Sequence, residues 1–235
     1  MVDVVSDLCF SGVGLRSKHY PYLESHRPKT IKWFEAVSEN YMHSYGRPRQ
    51  ILNVIRRDFP VALHGVGLNL ASCNEINTGY LHALKSLADE IDPFIVSDHL
   101  CWTGAAGHYS HNLLPFPLTR KTLHHLVCRL DQIQTYLKRC LYIENVSTYL
   151  TFKSSEYTEW EFLVELATRA GTKLLLDLNN IYVNAVNHGF DPLLFLAHIP
   201  SQLIGQIHLA GYSDCGDFLF DTHSKPVWPE VWKLF

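Results

Sequence analysis

The run Lys173-Leu174-Leu175-Leu176-Asp177, which passes into Leu178-Asn179-Asn180, joins a short unbroken apolar stretch to a carboxylate at its end. A continuous apolar run of this length reads as a strand covered on both faces, as the strands of a parallel sheet are. Six more runs of this kind occur: Leu8 to Gly12, Lys32 to Val37, Pro60 to His64, Phe94 to Asp98, Cys140 to Glu144 and Ile204 to His208. Amphipathic stretches with helical spacing separate them, at Gln50 to Asp58, Asn77 to Ile91, Arg120 to Lys138, Glu159 to Ala170 and Pro192 to His198. Local chemistry marks their ends. Thr158 with Glu161 predicts a capping box, Asp191 before Pro192 supplies an acceptor followed by a residue with no N–H to leave unpaired, and Gly171 suits a helix terminus.

Each strand alternates with a helix, so the choice lies between a closed parallel barrel and an open doubly wound sheet. Gly12-Val13-Gly14 is followed by Leu15-Arg16-Ser17, which breaks the dinucleotide-binding glycine pattern. The strand ends decide the matter. Glu39, His64, Asp98 with His99, Glu144, Asp177 and His208 stand at or beside them, with separations (taking His99) of 25, 35, 45, 33 and 31 residues. One strand–helix unit of a ~250-residue barrel occupies ~30 residues, and only a ring brings all such ends to one mouth. The expected fold is therefore a TIM-type (β/α)8 barrel forming a single domain over residues 1–235.

Composition excludes several alternatives. With 47% hydrophobic and 18% charged residues among 235, the chain has ample material for a core and is not a disordered segment. Twenty basic residues against 23 acidic ones leave no cationic excess for nucleic acid. No apolar stretch approaches the ~20 residues of a membrane span, and no signal-peptide pattern opens the chain, so a cytoplasmic location is expected. The six cysteines lie far apart without a C-x-x-C pair and read as reduced thiols. Histidine is abundant instead, with 14 against two methionines.

A cluster of His, Asp and Glu without thiolates suits a divalent ion of intermediate hardness, with iron, manganese and zinc all eligible. Gathered carboxylates repel one another, and a bound cation removes that cost. Asp221-Thr222-His223 adds two further donors, whose i and i+2 side chains share one side of an extended segment. His64, His99, Glu144, Asp177, His208, Asp221 and His223 exceed what one ion can use, which implies two or three ions with bridging carboxylates. A lone histidine or aspartate at a strand end is more often an ordinary hydrogen-bonder. The succession of them argues for ligands. His82, His124, His125 and His198 fall in helical stretches as solvated or capping residues, and His188 stays open. Cys9, Cys101 and Cys140 read as small core residues.

The motifs Gly12-Val13-Gly14-Leu15-Arg16, Ser38-Glu39-Asn40-Tyr41, His64-Gly65-Val66-Gly67-Leu68, Ser97-Asp98-His99-Leu100 and Glu144-Asn145 form one connected pattern with those that follow them. These are Leu176-Asp177-Leu178-Asn179-Asn180-Ile181-Tyr182-Val183, Asn187-His188-Gly189-Phe190, Ile207-His208-Leu209-Ala210-Gly211 and Asp221-Thr222-His223. From about Gly12 to Trp232 the chain resembles the multinuclear non-haem iron-dependent oxidative enzymes, the DUF692 family that includes the methanobactin biosynthesis protein MbnB. The resemblance implies a xylose-isomerase-like barrel, two or three irons, and O2-dependent oxidation of cysteine in a ribosomally made precursor peptide, usually presented with a partner protein. It further implies that His64 and His99 hold one ion, bridged by Glu144 to a second on Asp177 and His208. Asn180, Asp221 and His223 would hold the third. Hydrolytic relatives carry a histidine where Asn180 stands, and the weaker amide fits an iron site with an open position. Glu39, Asn40 and Arg16 are candidates for gripping the peptide. No acid or base distinct from the metal ligands is required.

At this spacing an eighth strand is due near position 239, past Phe235, so the expected barrel lacks its eighth strand and last helix. Relatives place there a glutamate that completes the second iron. Its loss would weaken that site, and an exposed sheet edge would favour self-association. Two other readings compete: a zinc or manganese hydrolase or isomerase of the same superfamily, and a truncated metal- or peptide-binding remnant without turnover.

Overall fold

A computed structural model describes residues 11–105 and 108–235. The chain divides into two compact units, residues up to 68 with 77–97, and residues 69–76 with 98–235.

The first unit carries β1 (Gly12–Gly14), α1 (Tyr20–Ser25), β2 (Trp33–Val37), α2 (Glu39–Met42), α3 (Arg47–Asp58), β3 (Val61–Gly65), α4 (Thr78–Ile91) and the start of β4 (Ile95–His99). The strands are parallel, with Val13 opposite Phe34 and Val37 opposite His64. Every residue of β3 is buried, as expected for a strand packed on both faces. Leu52 and Ile55 of α3 are wholly buried, as are Val61, Ala62 and Leu63 of β3. Asn77 caps α4 by accepting a hydrogen bond from the Tyr80 amide at 3.0 Å. Most of the expected first strand lies outside the described residues, and β1 begins at Gly12, where that strand was expected to end.

The second unit takes the end of β4, then β5 (Trp102–Ala105), β6 (His108–Leu114), α5 (Arg120–Leu137), β7 (Leu141–Glu144), α6 (Glu159–Ala170), β8 (Lys173–Asp177), α7 (Leu178–His188), α8 (Pro192–Ala197), β9 (Ile204–His208), β10 (Ser213–Asp214), β11 (Leu219–Phe220) and α9 (Pro229–Trp232). Here β7, β8 and β9 are parallel neighbours, with Glu144 opposite Leu175 and Asp177 opposite His208. The Leu100 amide donates to the Glu144 carbonyl at 2.9 Å, so the end of β4 lies beside the end of β7. Leu141, Ile143, Leu174 and Leu175 are wholly buried, with Leu126, Leu130 and Ile133 of α5 and Leu166 of α6.

The expected capping box is present: the Glu161 amide reaches Thr158 Oγ1 at 3.4 Å, and the Thr158 amide reaches Glu161 Oε2 at 2.9 Å. Gly171 ends α6 in the left-handed region at φ +62°, which glycine enters without a Cβ penalty. Asp191 Oδ1 accepts from the Leu193 amide at 2.9 Å. Two of the longer features escape the periodicity of the sequence. One is the antiparallel β5–β6 hairpin. The other is α7, whose sequence Leu-Asn-Asn-Ile-Tyr-Val-Asn-Ala-Val-Asn-His is crowded with weak helix formers. Asp177 initiates it regardless: its Oδ1 accepts from the Asn180 amide at 2.9 Å, so this carboxylate ends a strand and caps a helix at once.

Candidate metal centre

The strand ends of the second unit bring their charged side chains together. Glu144, 1% exposed, faces two imidazoles: His99 Nε2 lies 3.1 Å from Oε2, and His208 Nδ1 lies 2.9 Å from Oε1. Asp177 is fully buried, and ligand atoms of Glu144, Asp177 and His208 all fall within 4.8 Å of one another. On its other side Asp177 Oδ2 meets His223 Nε2 at 3.2 Å, and His223 Nδ1 meets Asp221 Oδ1 at 2.6 Å. The expected pairing of Asp221 with His223 therefore occurs. A turn produces it rather than extended alternation, since His223 has φ +49°.

The electrostatics are those of carboxylates and imidazoles buried side by side. Burial pushes the Asp177 carboxyl up, the hydrogen bond from His223 pulls it down, and the nearby charge of Glu144 pushes it up again. Burial lowers the His223 imidazole, but Asp177 and Asp221 outweigh it and raise the group to about 10. Three carboxylates and three imidazoles thus hold one another in place through shared protons, which metal ions would replace. The Asn180 amide nitrogen donates to the Asn145 carbonyl at 3.0 Å. Its Oδ1 is buried and has no hydrogen-bond partner among the described residues, as a carbonyl aimed at a cation would be. Carboxylate, imidazole and amide oxygen donors fit a divalent metal of intermediate hardness.

Supporting residues orient this set. Asn145 donates from Nδ2 to the Asp177 carbonyl at 3.1 Å and accepts from the Asp177 amide at 2.9 Å, locking the ends of β7 and β8 together. Gln206 Nε2 lies 3.1 Å from His208 Nε2 and donates to it, which leaves the Nδ1 hydrogen of His208 facing Glu144. Asn179 Nδ2 donates to Asp221 Oδ1 at 2.9 Å. These asparagines and the glutamine are absent from the candidates drawn from sequence. Their only signal was adjacency to a ligand, in Glu144-Asn145 and Asn179-Asn180. Cys101 is 1% exposed, and burial raises its thiol, with Asp98 and Glu144 adding to the effect. It is a core residue, as expected, whereas Cys140, also expected in the core, is exposed.

In the first unit His64 Nδ1 lies 2.8 Å from Ser97 Oγ, which itself reaches the Leu63 carbonyl at 3.4 Å. Donation from Nδ1 to Ser97 selects the tautomer with its lone pair on Nε2, the form a metal ligand needs. Glu39 Oε1 accepts from the Val66 amide at 2.7 Å and from the Tyr80 hydroxyl at 2.5 Å, so this carboxylate is tied into the turn after β3. Asn40 and Arg16 are exposed.

Residues 10–235 match the profile of the RiPP precursor modification enzymes MbnB/TglH/ChrH, RiPP denoting a ribosomally synthesised and post-translationally modified peptide. The chain belongs to the MbnB/TglH/ChrH family. Members of the same DUF692 family named UPF0276 are close in sequence. One from Acaryochloris marina is 49% identical over 225 residues, spanning 96% of this chain and 81% of its own. One from Anaeromyxobacter sp. is 49% identical over 224 residues, spanning 95% and 79%, and one from Caulobacter vibrioides is 46% identical over 225 residues. Solved structures agree on the fold. A D-psicose 3-epimerase aligns with TM-score 0.55 at 14% identity over 85% of this chain and 73% of its own. Endonuclease IV from Thermus thermophilus aligns with TM-score 0.55 at 13% identity over 88% and 79%. The fold of this MbnB/TglH/ChrH member is thus the xylose-isomerase-like TIM-barrel type, with seven parallel strands described.

Proposed function

We propose that this chain is a multinuclear non-haem iron, O2-dependent oxidase that modifies cysteine residues of a ribosomally synthesised precursor peptide delivered with a partner protein. The observation that carries the reading is Glu144, a buried carboxylate with an imidazole on each oxygen and a second buried carboxylate, Asp177, beside it. A carboxylate so placed has the form of a metal bridge. In this reading His99 and Glu144 serve one ion, to which the sequence motifs add His64. Glu144, Asp177 and His208 serve a second, and Asn180, Asp221 and His223 a third. Iron, when bound, supplies the redox equivalents and Lewis acidity for oxidising a thiolate with O2.

The chain's own residues supply position and shelter. Asn145 and Gln206 hold Asp177 and His208 in fixed orientations, and burial of Glu144 and Asp177 keeps their charges away from bulk water, where they would be screened. The surrounding polar groups are amides, which orient ligands without offering a competing acid or base. Glu39, Asn40 and Arg16 are assigned to the peptide.

Metal analysis with electron paramagnetic resonance, on protein purified anaerobically with iron supplied, tests this reading. Two or more irons per chain, with a coupled mixed-valence signal that disappears in Glu144→Ala, are expected. Zinc alone, or less than one metal per chain, overturns it.

A further inference from the structure

Beside the carboxylate cluster the second unit holds a cavity of about 280 Å³. Asn145, the residue after Glu144, forms part of its wall, so the cavity adjoins the proposed metal centre. The rest of the wall is mainly aromatic and aliphatic. Trp160 and Phe190 have ring centroids 5.8 Å apart, and Phe116 and Phe162 lie 5.7 Å apart. Glu159 is the one carboxyl in this lining.

That carboxyl is held in a defined way. Asn184 is fully buried, and its orientation is set by the Thr148 amide, which donates to Oδ1 at 2.7 Å, and by the Val146 carbonyl, which accepts from Nδ2 at 3.0 Å. The same Nδ2 reaches Glu159 Oε2 at 3.2 Å. No cation pairs with Glu159 among the described residues. Burial pushes its carboxyl up to about 7, against the pull of the Asn184 amide. His188 does not serve as the missing partner. Its Nε2 lies 2.7 Å from Thr148 Oγ1 and 3.0 Å from the Thr148 carbonyl, which take up its hydrogen.

We propose that this cavity is a recognition pocket for a lysine or arginine side chain of the peptide substrate, with its aliphatic stem against the aromatic wall and its cation on Glu159. A purely apolar occupant would leave the carboxylate desolvated and without a charge partner, and an anion would be repelled. A long-stemmed cation satisfies both halves of the lining, because the stem buries apolar surface and aromatic faces attract the charge. Extended peptide advances ~3.4 Å per residue, so a pocket adjoining the metal ligands reads a side chain close in sequence to the modified one. The inference rests on the peptide-modifying function proposed above.

The test compares two probes with the same stem, N-acetyl-lysine methylamide and N-acetyl-norleucine methylamide. Each is titrated by ligand-observed NMR into the full chain with and without bound metal. The lysine probe is expected to bind at least about tenfold more tightly, and Glu159→Gln, which keeps an acceptor for Asn184, to abolish the difference. Thr151→Trp, a bulky substitution at an exposed position of the lining, should block both probes. Equal binding of the two probes, or a lysine preference that survives Glu159→Gln, overturns the proposal. Because probe binding requires neither iron nor O2, a chain that takes up iron but shows no lysine preference refutes the pocket alone. A chain that shows the preference but takes up no iron refutes the oxidase and leaves the pocket.

Discussion

At the scale of single residues, His223 links two carboxylates and so ties the stability of the metal-free protein to pH. Its folded value, about 10, stands above its ordinary value of 6.5. A group raised on folding contributes stability that is fully present below its unfolded value and is lost as pH rises through the folded one. The metal-free protein should therefore lose melting temperature between about pH 6.5 and 10, and His223→Gln should flatten that slope. Thermal melts by circular dichroism at half-unit pH steps measure it, and an identical slope in the variant would remove His223 from the account. The residues that form this network were only partly visible in sequence. Glu144, Asp177 and His208 announce themselves because each closes an apolar run, and the type of residue at a strand end is a strong signal. Asn145, Asn179 and Gln206 carry no such mark. Each is a neutral amide whose role is fixed by the partner that folding brings to it.

At the scale of elements, one fully buried side chain of α7, Asn184, makes several of the hydrogen bonds that tie the helix to its neighbours. Asn184 makes hydrogen bonds to the Thr148 amide and hydroxyl, the Val146 carbonyl and the Glu159 carboxylate, joining the helix after β8 to the segment between β7 and α6. Replacing it with alanine strands several buried polar groups, each of which costs about 1–3 kcal/mol when unsatisfied. Partial relaxation should bring the total to roughly 2–4 kcal/mol in Asn184→Ala. By comparison, Thr158→Ala removes a surface cap worth about 1 kcal/mol. Urea unfolding of both variants distinguishes them, and similar losses would mean that the Asn184 network adds nothing beyond a cap. Strands β2, β3, β4, β7, β8 and β9 and four of the longer helices were legible because buried parallel strands and amphipathic helices have different periods. Helix α7 was not, since its pattern is broken by asparagines that serve tertiary contacts. The β5–β6 hairpin was hidden for a similar reason: four of the seven residues of β6 are exposed, and they show no apolar alternation.

At the scale of the molecule, the cluster sets a conflict between fold and site. Glu144 and Asp177 are buried carboxylates close enough to raise the proton affinity of Asp177, and each would be less costly to bury as an amide. A ligand that binds only the folded state stabilises it by RT ln(1 + [L]/Kd), about 2.7 kcal/mol at a hundredfold excess over Kd. A cation on these carboxylates adds the relief of their mutual repulsion, so metal should raise the melting temperature of the wild type by several degrees, and a chelator should reverse the gain. Glu144→Gln and Asp177→Asn keep shape and hydrogen-bond acceptors, including the Asp177 cap on α7, while removing charge. Both variants should fold and melt at nearly the same temperature with and without metal. Differential scanning calorimetry across Fe(II) under argon, Mn(II) and Zn(II) measures the increment. An undiminished metal response in both variants would place the stabilising ion elsewhere, and the carboxylates would then have to be explained as a proton-sharing network alone.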